Sequence, residues 1–533
     1  MIVNKQHNGM YSFLMISGLL SLSLGGLVAC SGGGTTNNTT AETSTSAGLS
    51  GPLVFVNNTG DKTLSSVALK GDSGNAVVGT IDAAKFGNVA LGDMQFSEGE
   101  WIFLNLGAAN KVATIDPLTG ATPVHEANLA TGTRPVHIYR DPTDGEVIWS
   151  MNDGDNAGGT ATPGDDLINC NNAARVGGPV LGGSVTVLHN SHLGPGGHPP
   201  TVEKTVCILA DGHKVTAFSQ PTAANAAIPK LAFVSSETGG EIAVIDNTPG
   251  SPTQWQMIGR IDLCDPIKET IAATCNDESG TLLATPFTEN NSRPHGIRWS
   301  KLTGKVYSIQ EGYGQIAEID PITLAITNTF DLAGLPYTAY GISPDGRFLL
   351  LRGDTTPSTG TKLGVIDLGT ALSPRTDFII PELSGTSPGS FKFSPDGKRF
   401  YILAGNVAAA TKKDRLFAFD SSTLTAAAPS LTLLREIVLV ATGGHSMDVL
   451  AQGAGEAKYI VVSNSTDNSI SIINATDNLI KQTVTVGPTP GGVMVYSVGA
   501  AAAGNQATAS VTSGGTTASS LLLERLDDHG MPE

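Results

Sequence analysis

The chain has 533 residues, of which 15% are charged and 40% are hydrophobic, with 64 glycines and 29 prolines. This length exceeds one ordinary domain, so the chain holds several domains or one architecture that grows by repetition. Its composition is typical of many short strands joined by glycine- and proline-rich turns, and long helices do not produce it. The formal net charge of −17 argues against a nucleic-acid-binding surface.

The first thirty residues form a targeting segment. Lys5 supplies a weakly positive start, an apolar run follows over residues 13–28, and the segment ends in Leu27-Val28-Ala29-Cys30. The run is short for a membrane-spanning helix. Its ending resembles the lipobox of bacterial lipoproteins, which implies that residues 1–30 are a signal peptide and that Cys30 carries the lipid. The alternatives are a plain signal peptide or a membrane anchor with an incidental cysteine.

The same resemblance implies a cellular location and a contact with the membrane. Ser31, rather than Asp, follows the cysteine, which favours the outer membrane, on its periplasmic or its cell-surface face. Residues 31–50 are almost wholly Gly, Ser, Thr, Asn and Ala, a composition that predicts a flexible tether. Residues 500–533 form a second low-complexity segment, with a short helix predicted over residues 521–526. One folded region is therefore expected between them, at residues 51–499.

Four cysteines remain once Cys30 is assigned to the lipid: Cys170, Cys207, Cys264 and Cys275. An even number in an exported protein predicts disulfides, for which three connectivities are possible. We prefer Cys264–Cys275 with Cys170–Cys207, because each pair would clip one long insertion to its own repeat. Four thiolates around zinc are the alternative. The sequence has no Cys-x-x-Cys-His, which excludes covalently attached haem c.

Internal repeats determine the fold class. The clearest unit alternates apolar and polar residues over 293–300, 304–309 and 315–320, as half-buried strands do. Ser-Pro-Asp-Gly turns recur at 343–346 and 394–397. In six units one strand ends in an apolar residue followed by Asp or Asn, at Asp116, Asp246, Asp320, Asp367, Asp420 and Asn474.

These units resemble the YVTN-type β-propeller repeat, of which residues 460–464 are a local version. The resemblance covers roughly residues 53–498 and extends to the propellers of cytochrome d1 and nitrous oxide reductase. It implies an all-β fold and is poorly specific for function.

The number of innermost strands gives the number of blades. They are predicted to start near Gly92, Val136, His213, His295, Thr338, Gly389, His445 and Gly491. No further strands follow the last one, and the segments at 53–57 and 64–69 lack a preceding one, so joining the two ends would complete a blade and close the ring. The sequence predicts a single propeller of eight blades, or of seven if residues 136–262 form one blade.

Four histidines lie near the starts of predicted inner strands. His295 and His445 occupy equivalent positions, His213 lies within one residue of that position, and His137 lies one residue beyond it. Imidazoles that converge on the channel axis could ligate copper, iron or zinc. Nitrous oxide reductase, which the repeats resemble, holds a copper cluster in such a ring, but here at most four blades contribute. We prefer the interpretation in which these imidazoles only bond nearby backbone.

Two loops are weaker candidates for metal sites. His189, His192 and His198 lie in one Gly- and Pro-rich loop and could form an incomplete site. Residues 152–156, with Asp165 and Asp166, are rich in oxygen ligands but fail the EF-hand pattern, so a solvated turn is preferred to a calcium site.

No sequence motif predicts a reaction, and we name no catalytic residue. The chain has no phosphate-binding Gly-x-x-x-x-Gly-Lys loop and no His-Glu-x-x-His. We expect a non-enzymatic, envelope-anchored lipoprotein that binds an envelope protein or surface ligand. The alternative is a metal-dependent redox or metal-binding propeller that uses the four channel histidines. A lactonase-type hydrolase ranks third, because Asp93 and Asp448 suggest no ring of calcium ligands.

Overall fold

The coordinates are a computed structural model that describes residues 51–497 with gaps. The gaps are residues 98–100, 117–123, 130–131, 155–182, 190–199, 209–211, 271–274, 276–278, 280–287, 333–338, 353–360, 370–375, 384–385, 407–412, 426–428, 441 and 444–445. The predicted signal peptide, tether and C-terminal tail lie outside the described residues and stay predictions.

The described chain forms eight four-stranded antiparallel sheets, each of which is one propeller blade. The eight-bladed all-β prediction is confirmed. Short 3-10 helices connect some strands, at Ala83–Phe86, Gly107–Ala109, Pro381–Leu383, Ser422–Thr425 and Ser465–Asp467. No helix of the described chain is long and apolar enough to cross a membrane.

The first half of the ring contains blades 1 to 4, numbered in chain order. Before them, the chain contributes three strands to the blade that closes the ring: β1 (Pro52–Asn58), β2 (Thr63–Ala68) and β3 (Ala76–Ile81). Blade 1 is β4 (Met94–Phe96), β5 (Ile102–Leu106), β6 (Lys111–Ile115) and β7 (Val124–Asn128). Blade 2 is β8 (Pro135–Arg140), β9 (Val147–Asn152), β10 (Gly183–His189) and β11 (Thr201–Ile208). Blade 3 is β12 (Lys214–Ser219), β13 (Leu231–Ser236), β14 (Glu241–Asp246) and β15 (Met257–Asp262). Blade 4 is β16 (Pro294–Ser300), β17 (Lys305–Gln310), β18 (Gln315–Asp320) and β19 (Ala325–Asp331).

The second half contains blades 5 to 8. Blade 5 is β20 (Ala339–Ile342), β21 (Phe348–Arg352), β22 (Thr361–Asp367) and β23 (Thr376–Ile380). Blade 6 is β24 (Thr386–Phe393), β25 (Arg399–Asn406), β26 (Arg415–Asp420) and β27 (Thr432–Val438). Blade 7 is β28 (Met447–Gln452), β29 (Glu456–Asn464), β30 (Ser469–Asn474) and β31 (Leu479–Thr485). Blade 8 joins β32 (Pro490–Ser497) to β1, β2 and β3. Residues 136–262 therefore span two blades, and the seven-bladed alternative is wrong.

The two chain ends close the ring by pairing with each other. Strand β1 runs antiparallel to β32, with Val54 opposite Val495 and Phe55 opposite Met494. Successive residues of a strand point to opposite faces. Accordingly, Phe55 and Met494 pack in a cluster shared with blade 1, whereas Val54 and Val495 pack in a cluster shared with blade 7. The predicted closure is confirmed, and both faces of the closing blade are buried.

Apolar side chains between blades hold the remaining sheets together. The largest cluster runs from blade 2 to blade 4 and includes Trp149 and Phe218, whose ring centroids lie 5.5 Å apart. Burial of one such side chain stabilises the fold by roughly 1.5–3 kcal/mol. These clusters hold neighbouring inner strands at a fixed spacing around the channel.

The turns of the repeat carry a recurrent polar anchor. In blade 5 the bonds from Arg347 Nε and Nη2 to the two Asp367 carboxylate oxygens are each 2.9 Å long. Arg347 immediately precedes Phe348, which pairs with Asp367 across the sheet. The arginine bond is the main cause that lowers the pKa of Asp367. The strand-ending aspartate of the repeat therefore ties the start of the second strand to the end of the third.

The cysteines follow the predicted pairing where it can be seen. Cys264 and Cys275 form a disulfide across eleven residues, which confirms that pair. Cys207 is also disulfide-bonded. Cys170 lies outside the described residues, so its pairing with Cys207 stays a prediction.

Ring closure predicts energetic coupling between the two chain ends. We expect Phe55→Ala and Met494→Ala to be non-additive in the free energy of unfolding by about 0.5–3 kcal/mol, because the two side chains share one buried cluster. The measurement is a double-mutant cycle by urea denaturation. As a control, Phe55→Ala combined with Leu416→Ala, which lies in a separate cluster, should be additive within about 0.5 kcal/mol. If the changes in unfolding free energy are additive for both pairs of substitutions, the proposed coupling of the two chain ends is contradicted.

The anchor in blade 5 predicts a pH-dependent contribution to stability. The folded pKa of Asp367 lies below its unfolded value, so the contribution is present above about pH 4 and is lost as the pH falls through the folded pKa. We expect Asp367→Asn to lower the free energy of unfolding by about 0.5–1 kcal/mol at pH 7, because the pair is partly exposed. The difference from the natural protein should shrink below pH 4. A difference that stays constant from pH 7 to pH 3 would show that the carboxylate charge has no part in it.

Candidate metal centre

Three of the four predicted histidines meet at one end of the channel. His137 is the third residue of β8, His213 directly precedes β12, and His295 is the second residue of β16. These are the inner strands of three successive blades, so their starting ends lie side by side around the axis. The ring centroids of His137 and His213 are 4.6 Å apart, and those of His213 and His295 are 4.9 Å apart. We call these three residues the mouth cluster.

Each imidazole of the mouth cluster is hydrogen-bonded to a carboxylate through Nδ1. The distance from His137 Nδ1 to Asp93 Oδ2 is 2.6 Å. The distance from His213 Nδ1 to Asp153 Oδ2 is 3.2 Å, and that from His295 Nδ1 to Glu311 Oε1 is 2.9 Å. An ionised carboxylate only accepts, so Nδ1 carries the hydrogen in each ring.

The repeat places an acidic residue at the same position in three successive blades. Asp153, Glu237 and Glu311 each directly follow the second strand of their blade. Their backbone amides bond to the segment that leads into the first strand: Asp153 N lies 3.1 Å from Arg134 O, Glu237 N 3.0 Å from His213 O, and Glu311 N 3.2 Å from Arg293 O. The same turn geometry therefore brings an acidic residue beside the histidine-bearing strand in three successive blades.

Asp93 reaches the cluster by a different route. It directly precedes β4 in blade 1, and its carboxylate bonds to His137 in blade 2. Asp153 of blade 2 likewise bonds to His213 of blade 3. Two of the three histidine–carboxylate bonds thus cross between blades, so the orientation of the rings depends on the spacing of the blades.

The Nε2 atoms of two rings face each other. His137 Nε2 and His213 Nε2 are 3.2 Å apart. With Nδ1 protonated in both rings, each neutral imidazole directs a lone pair from Nε2. Two lone pairs at this distance repel each other unless a cation, either a proton or a metal ion, lies between them.

The surroundings shift the pKa values of two rings in opposite directions. Burial is the largest influence on the pKa of His213 and holds it below the usual value, against the opposing bond to Asp153. Burial also acts to lower the pKa of His295, but the hydrogen bond and charge of Glu311, with the charge of Glu237, outweigh it and raise the pKa. These shifts favour the neutral form of His213, which a metal requires, and the protonated form of His295.

The cluster is open on one side. The side chain of His137 is 4% exposed, whereas those of His213 and His295 are 22% and 23% exposed. A small ion can therefore reach the outer two rings from solvent, while His137 forms the inner wall. Glu237, which follows β13, pairs with Arg293 at the rim.

The residues present fit a first-row transition metal ion. Imidazole nitrogens suit zinc, copper, iron and nickel. A ligating histidine commonly donates its second nitrogen to a carboxylate, which fixes the tautomer and raises the basicity of the ligand. The mouth cluster has that arrangement at all three rings.

The other predicted site residues are distributed differently. His445, His192 and His198 lie outside the described residues, and their predicted roles stay predictions. His189 ends β10, away from the channel strands. In the predicted calcium loop, Asn152 Nδ2 donates to the hydroxyls of Ser184 and Thr186, and Asp153 bonds to His213 as described above. Asp155, Asn156, Asp165 and Asp166 are not described.

The two acidic residues considered for a lactonase-type calcium site have separate partners. Asp93 bonds to His137. Asp448 accepts a hydrogen bond from Lys392 Nζ and another, 2.7 Å long, from the backbone amide of Val495. Asp448 therefore joins three inner strands of blades 6, 7 and 8.

The sequence analysis missed Glu237 and Glu311. The signal that could have found them is positional, since an acidic residue directly follows the second strand in three successive repeats, at 153, 237 and 311. It was hidden because each residue by itself looks like an ordinary turn residue.

No family model matches this chain, and no curated protein matches it. Among solved structures, the dihydro-heme d1 dehydrogenase NirN in complex with DHE is similar, with a TM-score of 0.51 and 14% identity over 84% of this chain and 75% of that one. Apo AztD from Citrobacter koseri has a TM-score of 0.47 and 13% identity, covering 84% and 98% of the two chains. A putative 6-phosphogluconolactonase from Bacteroides uniformis ATCC 8492 has a TM-score of 0.43 and 13% identity, covering 84% and 99%. Likeness at these identities supports the propeller fold alone.

Proposed function

We propose that this chain is a metal-binding β-propeller whose mouth cluster holds a divalent first-row transition metal ion. The observation that carries the proposal is the pair of facing Nε2 atoms of His137 and His213, 3.2 Å apart, in rings whose Nδ1 atoms are bonded to carboxylates. A metal ion between these atoms would replace lone-pair repulsion by two coordinate bonds.

The contacts of these residues indicate the role that each would have. His137 and His213 would hold the ion, and His295 lies beside His213. Asp93, Asp153 and Glu311 are positioning residues, which orient the rings and keep Nε2 unprotonated. A bound ion of this class would supply Lewis acidity or, for copper and iron, electron transfer.

The place of action is also a proposal. A lipid on Cys30 and a tether at residues 31–50 would hold the propeller at the outer membrane, as the lipobox resemblance implies. At the envelope, a surface-accessible histidine site could bind metal ions from the surrounding medium. The protein-binding scaffold and the lactonase-type hydrolase stay predictions. The geometry of the mouth cluster supports neither of them.

The proposal predicts a stoichiometric metal ion that depends on the mouth cluster. Full-length protein in detergent is treated with a chelator and titrated with Zn²⁺ or Cu²⁺ by calorimetry, and bound metal is counted by elemental analysis. We expect a tight site that is lost in His137→Ala combined with His213→Ala, because both facing Nε2 ligands are removed. Asp153→Asn should weaken binding about 10–100-fold, because it removes a carboxylate that orients a ligand.

The matched control is His125→Ala, which removes a histidine from β7, an outer strand of blade 1. It should leave the affinity unchanged. Circular dichroism and the denaturation midpoint establish that each variant is folded. Unchanged affinity in the folded double variant would refute the proposal, as would the absence of a tight site in the natural protein.

A further inference from the structure

A second group of potential metal ligands lies at the opposite end of strand β8 from the mouth cluster. Asp144 and Glu146 lie in the turn between β8 and β9, and His189 ends β10. One ligand atom from each of these three residues lies within 4.8 Å of the other two. Glu203 of β11 lies beside them, with its Oε1 3.9 Å from His189 Nδ1. We call these four residues the hairpin-end cluster.

The imidazole of His189 lies between two carboxylates. His189 Nε2 is 3.5 Å from Glu146 Oε2, and its Nδ1 faces Glu203. The side chains of all three are about one quarter to one third exposed, at 27%, 27% and 31%. An ion from solvent can therefore reach the cluster.

The equivalent positions of blade 5 hold an ion pair instead. In blade 5, Arg347 precedes the residue opposite Asp367 and binds that carboxylate. In blade 2, Glu146 precedes Val147, which lies opposite His189. Glu146 thus takes the place of the arginine, and His189 takes the place of the strand-ending aspartate. In blade 2 the acidic residue therefore precedes the second strand and the histidine ends the third strand, which is the reverse of the order in blade 5.

A bulge in the outer strand supplies the fourth residue. Val187 lies opposite Lys204, and the next residue, Leu188, lies opposite Val202, so Glu203 is the extra residue of the bulge. Outer strands of other blades have the same bulge with a different extra residue: Val78, Ile258, Thr327, Leu434 and Lys481. A bulge re-aims the side chain of its extra residue. Among these six positions, only that of blade 2 carries a carboxylate.

The inversion changes the charge of the site. Asp144, Glu146 and Glu203 carry three negative charges when ionised, whereas a protonated His189 can supply one positive charge. Close carboxylates repel each other. Two carboxylates and one imidazole form a donor set that suits divalent ions such as Mn²⁺ and Zn²⁺, and the nearby charge of Glu203 favours a cation there.

We infer that the hairpin-end cluster is a second divalent-metal site, independent of the mouth cluster. Its ligands are the carboxylates of Asp144 and Glu146 and Nε2 of His189, and Glu203 orients the ring from the Nδ1 side. It differs from the mouth cluster in being rich in oxygen donors, so the two sites prefer different ions. A bound ion would tie the turn between β8 and β9 to the end of β10.

The test uses Mn²⁺ as the probe and full-length protein in detergent. To remove the mouth cluster from the measurement, the parent variant is His137→Ala, His213→Ala. Binding is followed by the loss of the electron paramagnetic resonance signal of free Mn²⁺. We expect one bound ion in the parent. Adding Glu146→Arg and His189→Asp, which restores the pair found in blade 5, should raise the Kd at least about tenfold, or 1.4 kcal/mol.

Controls keep loss of folding separate from loss of ligands. Glu203→Lys places at the bulge the residue type that blade 7 has there as Lys481, and it should also weaken binding at least about tenfold. Glu436→Gln removes a carboxylate from the outer strand of blade 6 and should leave the Kd unchanged. Absence of Mn²⁺ binding in the parent would overturn the inference, and so would an unchanged Kd in folded Glu146→Arg, His189→Asp and Glu203→Lys variants.

Discussion

The pairing of β1 with β32 is the constraint on which the rest of the structure depends. An open row of eight sheets would leave an unpaired inner edge in the last blade and an uncovered apolar face at each end of the row. Closure buries Phe55 against one neighbouring blade and Val54 against the other. It also fixes the angular spacing of the inner strands. The mouth cluster needs that spacing, because His213 and its carboxylate partner Asp153 belong to different blades.

A repeating fold can build a site by varying the same position in successive units. In blades 2, 3 and 4 a histidine lies near the start of the inner strand and an acidic residue follows the second strand. The histidine of blade 4 bonds to the acidic residue of its own blade, whereas His213 of blade 3 bonds to Asp153 of blade 2. The hairpin-end cluster uses a different pair of equivalent positions, where Glu146 and His189 replace a basic residue and an aspartate. In both clusters the backbone has the geometry that the blades share, and only the side chains differ from those of other blades.

Much of the fold could be predicted from sequence because its signals are local and repeated. Alternating strands, Ser-Pro-Asp-Gly turns and the incomplete units at both ends predicted eight blades and the closing pair. The Cys264–Cys275 disulfide was also predicted, because it clips one long insertion to its own repeat. The convergence of His137 with His213 was harder to predict. These residues are 76 positions apart, and their meeting depends on how two separate sheets are oriented. The roles of Glu237 and Glu311 were missed because each of them looks like an ordinary turn residue in the sequence.

The central claim is that a cation belongs between two facing imidazoles in the channel mouth. The most direct measurement is anomalous X-ray diffraction at the zinc edge from crystals of the protein supplied with one equivalent of Zn²⁺. The account predicts the strongest anomalous peak within bonding distance of Nε2 of both His137 and His213. A strongest peak elsewhere, with none between these two atoms, would contradict it.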